Sequence, residues 1–332
     1  MDKIAILGLG PIGTSLGMAL KKANIQNTEI VGFDRNRRAV SEASKIDAID
    51  HGTRVYSQAV DGAQLIVLDL PGNEIVDTIK SIGPMLKTGS VITDTRATTS
   101  NTLVTAMDHL PTRTSFVGGH PLLKTSPNDL SQASDSLFED VDYCVIPSKS
   151  AGNQAVSIVV GMVESVGAKP FFLDPAEHDG YVAAIMTLPA LMSYALTNIT
   201  TSSVSWRDMS RFSSWEYDSA TRLAAKDPQA LVADSISNKD ALIHWIDKII
   251  GELHSYRSDI DSDVEHLETD FIRAWENRAK WVAGSTSEDD KPDLPSARDT
   301  MASWVFSNRL WDRQKQITNA NRRKPWQYPN KD

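Results

Sequence analysis

The sequence predicts a doubly wound α/β domain with a parallel sheet, followed by an all-α helical domain. Three observations support this fold class. The chain opens on a short apolar run and a glycine-rich turn. Up to residue 174, short apolar segments alternate with amphipathic ones, as in parallel sheets whose strands are joined by helices. From Pro175 to about Val282, apolar residues recur at three- and four-residue steps, which is typical of helices.

The apolar runs, each bounded by turn residues, predict strands at 4–7, 30–33, 65–68, 91–93, 115–117, 143–146 and 170–173. The amphipathic segments between them predict helices at 12–23, 73–86, 100–110 and 153–166. The change of pattern divides the chain into a nucleotide-binding domain at 1–174, a helical domain at 175–284, and a linker with a C-terminal helical extension and basic tail at 285–332. The apolar stripes of the helical domain exceed what one small bundle can bury, so we expect a homodimer through this domain.

The opening segment predicts a Rossmann-type turn that binds a dinucleotide. Three glycines, Gly8, Gly10 and Gly13, follow the first apolar run at the spacing G-x-G-x-x-G. The first permits a tight turn, the second lets the backbone approach a diphosphate, and the third lets the helix pack close to the strand. The start of the helix offers N–H groups to the phosphate charge. The predicted cofactor contacts in this turn are Gly8, Leu9, Gly10, Pro11, Ile12 and Gly13.

An acid at the end of the second predicted strand favours NAD as the cofactor. Asp34 can accept hydrogen bonds from the adenosine ribose, and its charge would repel the extra phosphate of NADP. Three basic residues that follow, Arg35, Arg37 and Arg38, leave NADP as an alternative because they can neutralise that phosphate. Arg35 can instead stack on adenine, or all three can lie on a solvated helix start.

Further cofactor contacts are predicted where the next strands end. Ligands of parallel sheets bind beyond the C-terminal ends of the strands. Leu70 and Pro71 follow the strand at 65–68, and Asp94 follows the strand at 91–93. Asp94 has two other interpretations, as a cap of the following helix or as a residue that orients His120.

Composition narrows the class of protein. The net charge of -9 argues against a nucleic-acid-binding protein. The apolar runs are judged too short for a membrane span, and the strand beginning at Lys3 leaves no room for a signal peptide, so we expect a cytoplasmic protein. The single cysteine, Cys144, cannot form an intrachain disulfide and lies in an apolar run, which favours a place in the core. Cysteines and histidines do not occur at metal-ligand spacing, so no metal is predicted.

An ordered set of short motifs resembles the prephenate/arogenate dehydrogenase family. The resemblance covers residues 3 to about 282, and its motifs are Gly118-Gly-His-Pro121, His178-Asp179, Leu188-Pro189, Thr221-Arg222-Leu-Ala, Asp227-Pro228 and Ile236-Ser-Asn238-Lys239. It implies NAD-dependent oxidation of a cyclohexadienyl carboxylate that carries a ring hydroxyl, with loss of CO2, as in tyrosine biosynthesis. By their match to the motifs, His120 would take the hydroxyl proton and Arg222 would bind the substrate carboxylate.

Two departures from the family pattern concern the substrate. Where the family has D-x-x-S-x-K, this chain has Ala97 at the serine position and Thr99 at the lysine position. Where the family has S-H-L-P-H, Thr187 and Ala190 replace both histidines. The pocket is therefore expected to be less basic and more apolar than usual. Two alternatives follow: a dehydrogenase or imine reductase of the same fold acting on another small substrate, and a catalytically silent NAD-binding protein.

Overall fold

The computed structural model describes residues 2–96, 100–112, 114–125, 127, 129–262 and 264–284. Within this part of the chain, eight strands form one sheet in the order β3-β2-β1-β4-β5-β6-β7-β8. The strands are β1 (Asp2–Leu7), β2 (Thr28–Phe33), β3 (His51–Thr53), β4 (Leu65–Leu68), β5 (Val91–Asp94), β6 (Ser115–Pro121), β7 (Asp142–Pro147) and β8 (Lys169–Phe172). Each predicted strand is present, and the short polar strand β3 is an additional one.

The helices up to β8 are α1 (Pro11–Ala23), α2 (Arg37–Lys45), α3 (Tyr56–Val60), α4 (Gly72–Ile82), α5 (Ser100–Met107) and α6 (Asn153–Ser165). The helices beyond β8 are α7 (Pro175–Val182), α8 (Leu188–Thr201), α9 (Trp206–Met209), α10 (Trp215–Thr221), α11 (Pro228–Ser237), α12 (Lys239–Ser262) and α13 (Val264–Val282). The helical character predicted from Pro175 to about Val282 is therefore confirmed.

The sheet is covered on both faces, as expected for a doubly wound fold. In β1, Ile4 and Ile6 contribute to one buried apolar cluster, and Ala5 and Leu7 contribute to another. Alternate residues of a strand point to opposite faces, so the two clusters lie on the two sides of the sheet. The first cluster includes residues of α1 and α6, and the second includes residues of α4 and α5.

One pair of strands departs from the predicted parallel arrangement. β6 and β7 are antiparallel, whereas the other neighbouring strands are parallel. A parallel connection needs a long crossover, usually a helix. The described residues between β6 and β7 contain only a single 3-10 turn, Leu130–Gln132, so the chain returns in the opposite direction. The Gly-Gly-His-Pro motif, predicted to follow a strand, forms the last part of β6 itself.

The first two helices after β8 form one long, continuous and largely apolar helix. α7 and α8 are joined by a π-helical turn, Ala183–Thr187, and the combined helix Pro175–Thr201 has 27 residues, of which an 18-residue stretch has a mean hydropathy of 1.5. By length and composition alone it is able to cross a membrane, which corrects the expectation that no segment would qualify. One such helix is weak evidence for a membrane protein, because apolar helices that pack against protein pass the same test.

Contacts between the described residues divide them into two compact units, the first ending at residue 246 and the second beginning at residue 247. The predicted linker, helical extension and basic tail at 285–332 lie outside the described residues. The division falls inside α12. It reflects the density of contacts and does not test the predicted domain boundaries at 174 and 284, which stay predictions. The strands, the glycine-rich turn, His120 and Arg222 all belong to the first unit.

Candidate active site

The glycine-rich turn between β1 and α1 has the geometry of a phosphate cradle. Gly8 has a φ of 105°, which disfavours other residues, and a Cβ there would overlap the carbonyl oxygen of Asp69. A Cβ on Gly13 would overlap the carbonyl oxygen of Gly8, so close packing of helix and strand requires this glycine. At Gly10 the nearest atom is 3.4 Å from a Cβ position. The missing side chain of Gly10 therefore leaves room above the turn, which fits a bound dinucleotide.

Asp34, directly after β2, is held beside this turn. Its Oδ2 accepts a hydrogen bond from the backbone N–H of Leu9 at 2.9 Å, and its Oδ1 accepts one from the N–H of Asn36 at 2.7 Å. Each carboxylate oxygen has a second lone pair, so Asp34 can still accept hydrogen bonds from ribose hydroxyls. The sequence therefore places an acid at the strand end, and two backbone donors fix its orientation.

The basic residues after Asp34 already have acidic or polar partners. The guanidinium of Arg35 lies 3.3 Å from the Glu74 carboxylate and 3.4 Å from the Tyr56 hydroxyl. Arg38 pairs with Glu42 at 2.6 Å within α2. These pairs are exposed and individually weak, but they direct both guanidinium groups toward protein carboxylates.

The ends of β4 and β5 border the same edge of the sheet. Leu70 is half-buried and Pro71 is exposed, immediately before α4. Asp94, the last residue of β5, is fully buried, and its Oδ1 accepts a hydrogen bond from the N–H of Gly119 at 2.7 Å. Its carbonyl oxygen accepts one from the Tyr143 hydroxyl at 3.1 Å. Asp94 thus fixes the strand that carries His120, in line with the orienting interpretation, and its predicted cofactor contact stays a prediction.

A buried pair of histidines forms the chemical centre of this edge. Nδ1 of His120, near the end of β6, lies 3.1 Å from Nε2 of His178 in α7. The two residues are only 6% and 2% exposed, and their rings are nearly perpendicular. A capping box formed by Asp174 and Glu177 fixes the start of α7, and thereby the place of His178. The two histidines are 58 residues apart in the sequence, so only the three-dimensional structure shows that they pair.

The histidine pair favours a neutral His120. Burial, and secondarily the charge of His178, lowers the pKa of His120 from its usual 6.5 to about 3. Nδ1 of His178 has no hydrogen-bond partner among the described residues, and Oδ1 of Asp179 lies 3.7 Å from it. If His178 carries its proton on Nδ1, its Nε2 accepts a hydrogen bond from Nδ1–H of His120. That tautomer leaves the Nε2 lone pair of His120 available to take a proton.

Arg222 begins a short 3-10 turn, Arg222–Ala225, in the helical part of the first unit. Its Nη2 lies 2.6 Å from Oδ2 of Asp218, and both side chains are more than half exposed. α8 holds this turn, because the Ser193 hydroxyl accepts a hydrogen bond from the N–H of Ala224 at 3.0 Å. Neither a hydrogen bond nor an ion pair of the described residues joins Arg222 to His120, so the structure does not bring the two predicted catalytic residues into contact. Ala97 and Thr99 lie outside the described residues.

A separate apolar cavity of about 260 Å³ lies in the helical part of the first unit, lined by Thr200, Trp206, Met209, Phe212, Ser213 and Tyr217. The Thr200 hydroxyl lies 2.7 Å from the Tyr217 hydroxyl, and the Trp206 and Tyr217 rings are 5.9 Å apart. This cavity has the character of an aromatic packing site, and its lining includes neither His120 nor Arg222.

Cys144 and a histidine–carboxylate cluster have no chemical role in this account. Cys144 is buried in β7, and burial raises its thiol pKa to about 11, which makes it a poor nucleophile. In the second unit, ligand atoms of Asp259, His266 and Asp270 lie within 4.8 Å of one another. His266 already pairs with Asp259 at 2.9 Å and Arg273 with Asp270 at 2.8 Å. These partners account for the cluster without an ion, and the absence of a metal stays a prediction.

Sequence reasoning missed two features of this edge. The pairing of His178 with His120 had only the His-Asp motif as a signal. Asp69, which contacts the glycine-rich turn, had a local signal: it is an acid that interrupts the apolar segment from Leu65 to Leu70.

The fold and the glycine-rich turn are those of a nucleotide-binding α/β protein with a helical C-terminal part. A model described as "Prephenate dehydrogenase, nucleotide-binding domain" matches residues 16–171, and one described as "Prephenate dehydrogenase, dimerization domain" matches residues 174–273. The chain therefore belongs to the prephenate dehydrogenase family, and it is a dehydrogenase of that type. The family predicted from the short motifs is confirmed.

Individual relatives are distant but similar over most of their length. A prephenate dehydrogenase of Bacillus subtilis is 27% identical over 269 residues, which cover 80% of this chain and 72% of that protein. A cyclohexadienyl dehydrogenase of Zymomonas mobilis is 27% identical over 292 residues, covering 87% of this chain and 98% of that protein. The crystal structure of an Aquifex aeolicus prephenate dehydrogenase with hydroxyphenyl propionate and NAD+ has the same fold, with a TM-score of 0.75, 24% identity, and coverage of 83% and 98%.

Proposed function

We propose that this protein is an NAD-dependent dehydrogenase that oxidises a cyclohexadienyl carboxylate, prephenate or arogenate, with loss of CO2. The observation that carries the proposal is the buried pair of His120 and His178 at the sheet edge that the glycine-rich turn also borders. The relatives from Bacillus subtilis and Zymomonas mobilis are named for the oxidation of such substrates, which supports the same substrate class here.

The residues at the turn would hold the cofactor. Gly8, Gly10 and Gly13 shape the space for the diphosphate, Leu9, Pro11 and Ile12 line it, and Asp34 accepts hydrogen bonds from the adenosine ribose. Leu70 and Pro71 border the cofactor along the edge of β4. When bound, NAD supplies the nicotinamide carbon that accepts a hydride. The related Aquifex aeolicus structure contains NAD+, in keeping with this choice of cofactor.

His120 acts as the base in the proposed reaction. The C–H bond at the hydroxyl-bearing ring carbon breaks and its electron pair leaves as hydride, while the hydroxyl proton passes to Nε2 of His120. The bond from the ring to its carboxylate then breaks, so that CO2 departs and the ring becomes aromatic. His178 is a positioning residue, since it holds Nδ1 of His120 and so directs the proton to Nε2.

Arg222 binds a carboxylate of the substrate in this proposal. Its planar guanidinium is suited to a two-point contact with a carboxylate. In the free protein it pairs with Asp218, so the substrate would compete for the same donor. Replacing Asp218 by the substrate carboxylate costs little free energy, because the Arg222–Asp218 pair is exposed and solvated ion pairs are weak.

Asp34 is expected to set the preference for NAD over NADP. Asp34→Ser should weaken NAD binding and improve NADP binding, because it removes the ribose acceptor and a charge that repels the extra phosphate. Calorimetric titration of both cofactors measures the change, and Asp47→Ser, which removes an exposed acid elsewhere in the nucleotide-binding part, serves as the matched control. Tighter binding of NADP than of NAD by the wild-type protein would contradict this assignment.

A homodimer through the helical part is the expected assembly. α7 to α10 and their connections expose large apolar side chains, including Ile185, Ile199, Phe212 and Trp215, and such surfaces are usually covered. Light scattering at micromolar concentration should give the mass of a dimer. Ile199→Glu should shift the mass toward the monomer, whereas Ser41→Glu, on the exposed side of α2, should not. A monomeric wild-type protein at that concentration would rule out this assembly.

The substrate assignment is tested by NADH formation across a panel of acids. We expect oxidation of prephenate or arogenate with NAD by the wild-type protein, at a rate that depends on His120. Oxidation of a different cyclic or small acid, with neither of these two consumed, would favour the dehydrogenase of altered substrate. Binding of NAD without turnover of any acid would favour the catalytically silent protein.

A further inference from the structure

A buried carboxylate lies directly beneath the glycine-rich turn. The side chain of Asp69 is only 2% exposed. Its Oδ2 accepts a hydrogen bond from the backbone N–H of Gly13 at 2.8 Å, and its Oδ1 accepts one from the Thr95 hydroxyl at 2.7 Å. Oδ2 also lies 3.4 Å from the position that a Cβ on Gly10 would occupy. Asp69 therefore contacts the turn at Gly13 and lies close to Gly10, the glycine that would let the backbone approach a diphosphate.

Asp69 brings negative charge to a place that an anionic ligand would approach. Its two hydrogen bonds come from donors, as an ionised carboxylate requires. Two negative charges, such as that of Asp69 and that of a phosphate, repel each other at a separation of roughly 10 Å and an effective dielectric constant of about 20. The repulsion corresponds to about a tenfold loss of affinity for the anionic ligand. A neutral residue at this position would bring no such repulsion.

A partly exposed arginine, Arg96, lies close to this carboxylate. It follows β5 closely and is about half exposed, with its Nε 3.9 Å from Oδ1 of Asp69. Its positive charge also reaches Asp234 in α11: burial raises the pKa of this carboxyl above its usual value, and the charges of Arg96 and Lys226 oppose that rise. A Cβ on Gly72, at the start of α4, would lie 3.7 Å from Oδ1 of Asp234, so this acid also borders the cofactor edge. Arg96 therefore lies near Asp69 and also acts electrostatically on Asp234.

We propose that Asp69 and Arg96 form an opposing charge pair that sets the affinity of the turn for the dinucleotide diphosphate. Asp69 weakens binding by repulsion, and Arg96 strengthens it by attraction. This inference rests on the proposed binding of NAD, but it does not depend on the substrate or on the chemistry at His120.

The test compares the binding of NAD and of ADP-ribose, which carries the diphosphate without the nicotinamide, to three variants by calorimetry. Asp69→Asn removes the charge but can keep both contacts, because the amide oxygen accepts from Gly13 and the amide nitrogen donates to Thr95. We expect this variant to bind ADP-ribose about tenfold more tightly than the wild type. Asp50→Asn is the matched control. Asp50 also accepts a hydrogen bond from a backbone N–H, that of Ile30, but it lies just before β3 and not at the glycine-rich turn. The affinity of Asp50→Asn for ADP-ribose should therefore equal that of the wild type.

Arg96→Ala should bind ADP-ribose several-fold more weakly. Because Arg96 is half exposed, salt should reduce the effect of Arg96→Ala more than the effect of Asp69→Asn. Arg96→Ala also keeps the inference testable if Asp69→Asn does not fold.

Two negative results have different meanings. Equal affinities of the wild type, Asp69→Asn and Arg96→Ala for ADP-ribose, with NAD bound by all three, would overturn the charge pair and leave the proposed function intact. Failure of the wild type and of Asp69→Asn to bind either ligand would overturn both the proposed cofactor and the charge pair.

Discussion

Replacing His120 by asparagine is expected to lower kcat by about 100- to 10,000-fold, the usual cost of losing a general base. The amide of asparagine can keep a hydrogen bond to His178 but cannot take the hydroxyl proton. NAD binding should be unaffected, because His120 is not among the residues assigned to the cofactor. Steady-state kinetics on the substrate found by the panel, together with NAD titration, measures both quantities.

His178→Gln separates positioning from proton transfer. This variant should lower kcat by less than His120→Asn does. It should also move the low-pH limb of the kcat/KM profile to higher pH, because the charge of His178 helps to lower the pKa of His120 and its removal raises that pKa. His51→Gln, an exposed histidine paired with Glu29, is the control and should leave the profile unchanged. Turnover of His120→Asn at the wild-type rate would refute the role of His120 and leave a nucleotide-binding protein of unassigned chemistry.

Arg222→Ala is expected to weaken binding of the acid by about ten- to 150-fold, as a charge-assisted pair worth about 1.5–3 kcal/mol would require. The loss should appear chiefly in KM, with part of it in kcat if the carboxylate contact tightens in the transition state. Steady-state kinetics over a range of acid concentrations, at saturating NAD, measures the two parameters separately.

Asp218→Asn is the matched variant for Arg222, because it breaks the same ion pair and leaves the guanidinium in place. It should leave KM unchanged or lower it, since the substrate no longer competes with Asp218. An equal rise of KM in Asp218→Asn and Arg222→Ala would mean that the ion pair only maintains the local structure, and Arg222 would lose its assignment as the carboxylate anchor.

The sequence predicts those parts of the fold that depend on the order of residues within one short segment. Glycine spacing after an apolar run predicts the turn at Gly8, Gly10 and Gly13, because each glycine answers a steric need of the turn itself. Strands such as β4 and β5 follow from short apolar runs that are buried on both faces. Asp34 is predictable because it directly follows an apolar run, and a residue in that position lies at the end of the strand.

Features that depend on contacts between distant segments were not predictable in this way. The His120–His178 pair joins β6 to a helix that begins after β8, and the Asp69–Gly13 bond joins the residue after β4 to the first turn of α1. The antiparallel β6–β7 pair goes with a connection whose described residues contain no crossover helix, and the apolar pattern of either strand does not record this. A run of short apolar segments predicts that strands exist but not the direction in which each one is paired.

The most direct test of the central claim is the product balance with prephenate, and in parallel with arogenate, as the acid and NAD as the oxidant. We expect the wild-type protein to form NADH and CO2 in equal amounts, with an aromatic product from the same molecules of acid. Formation of NADH without CO2 would mean a simple alcohol oxidation. Bound NAD with neither product from either acid would contradict the proposed function.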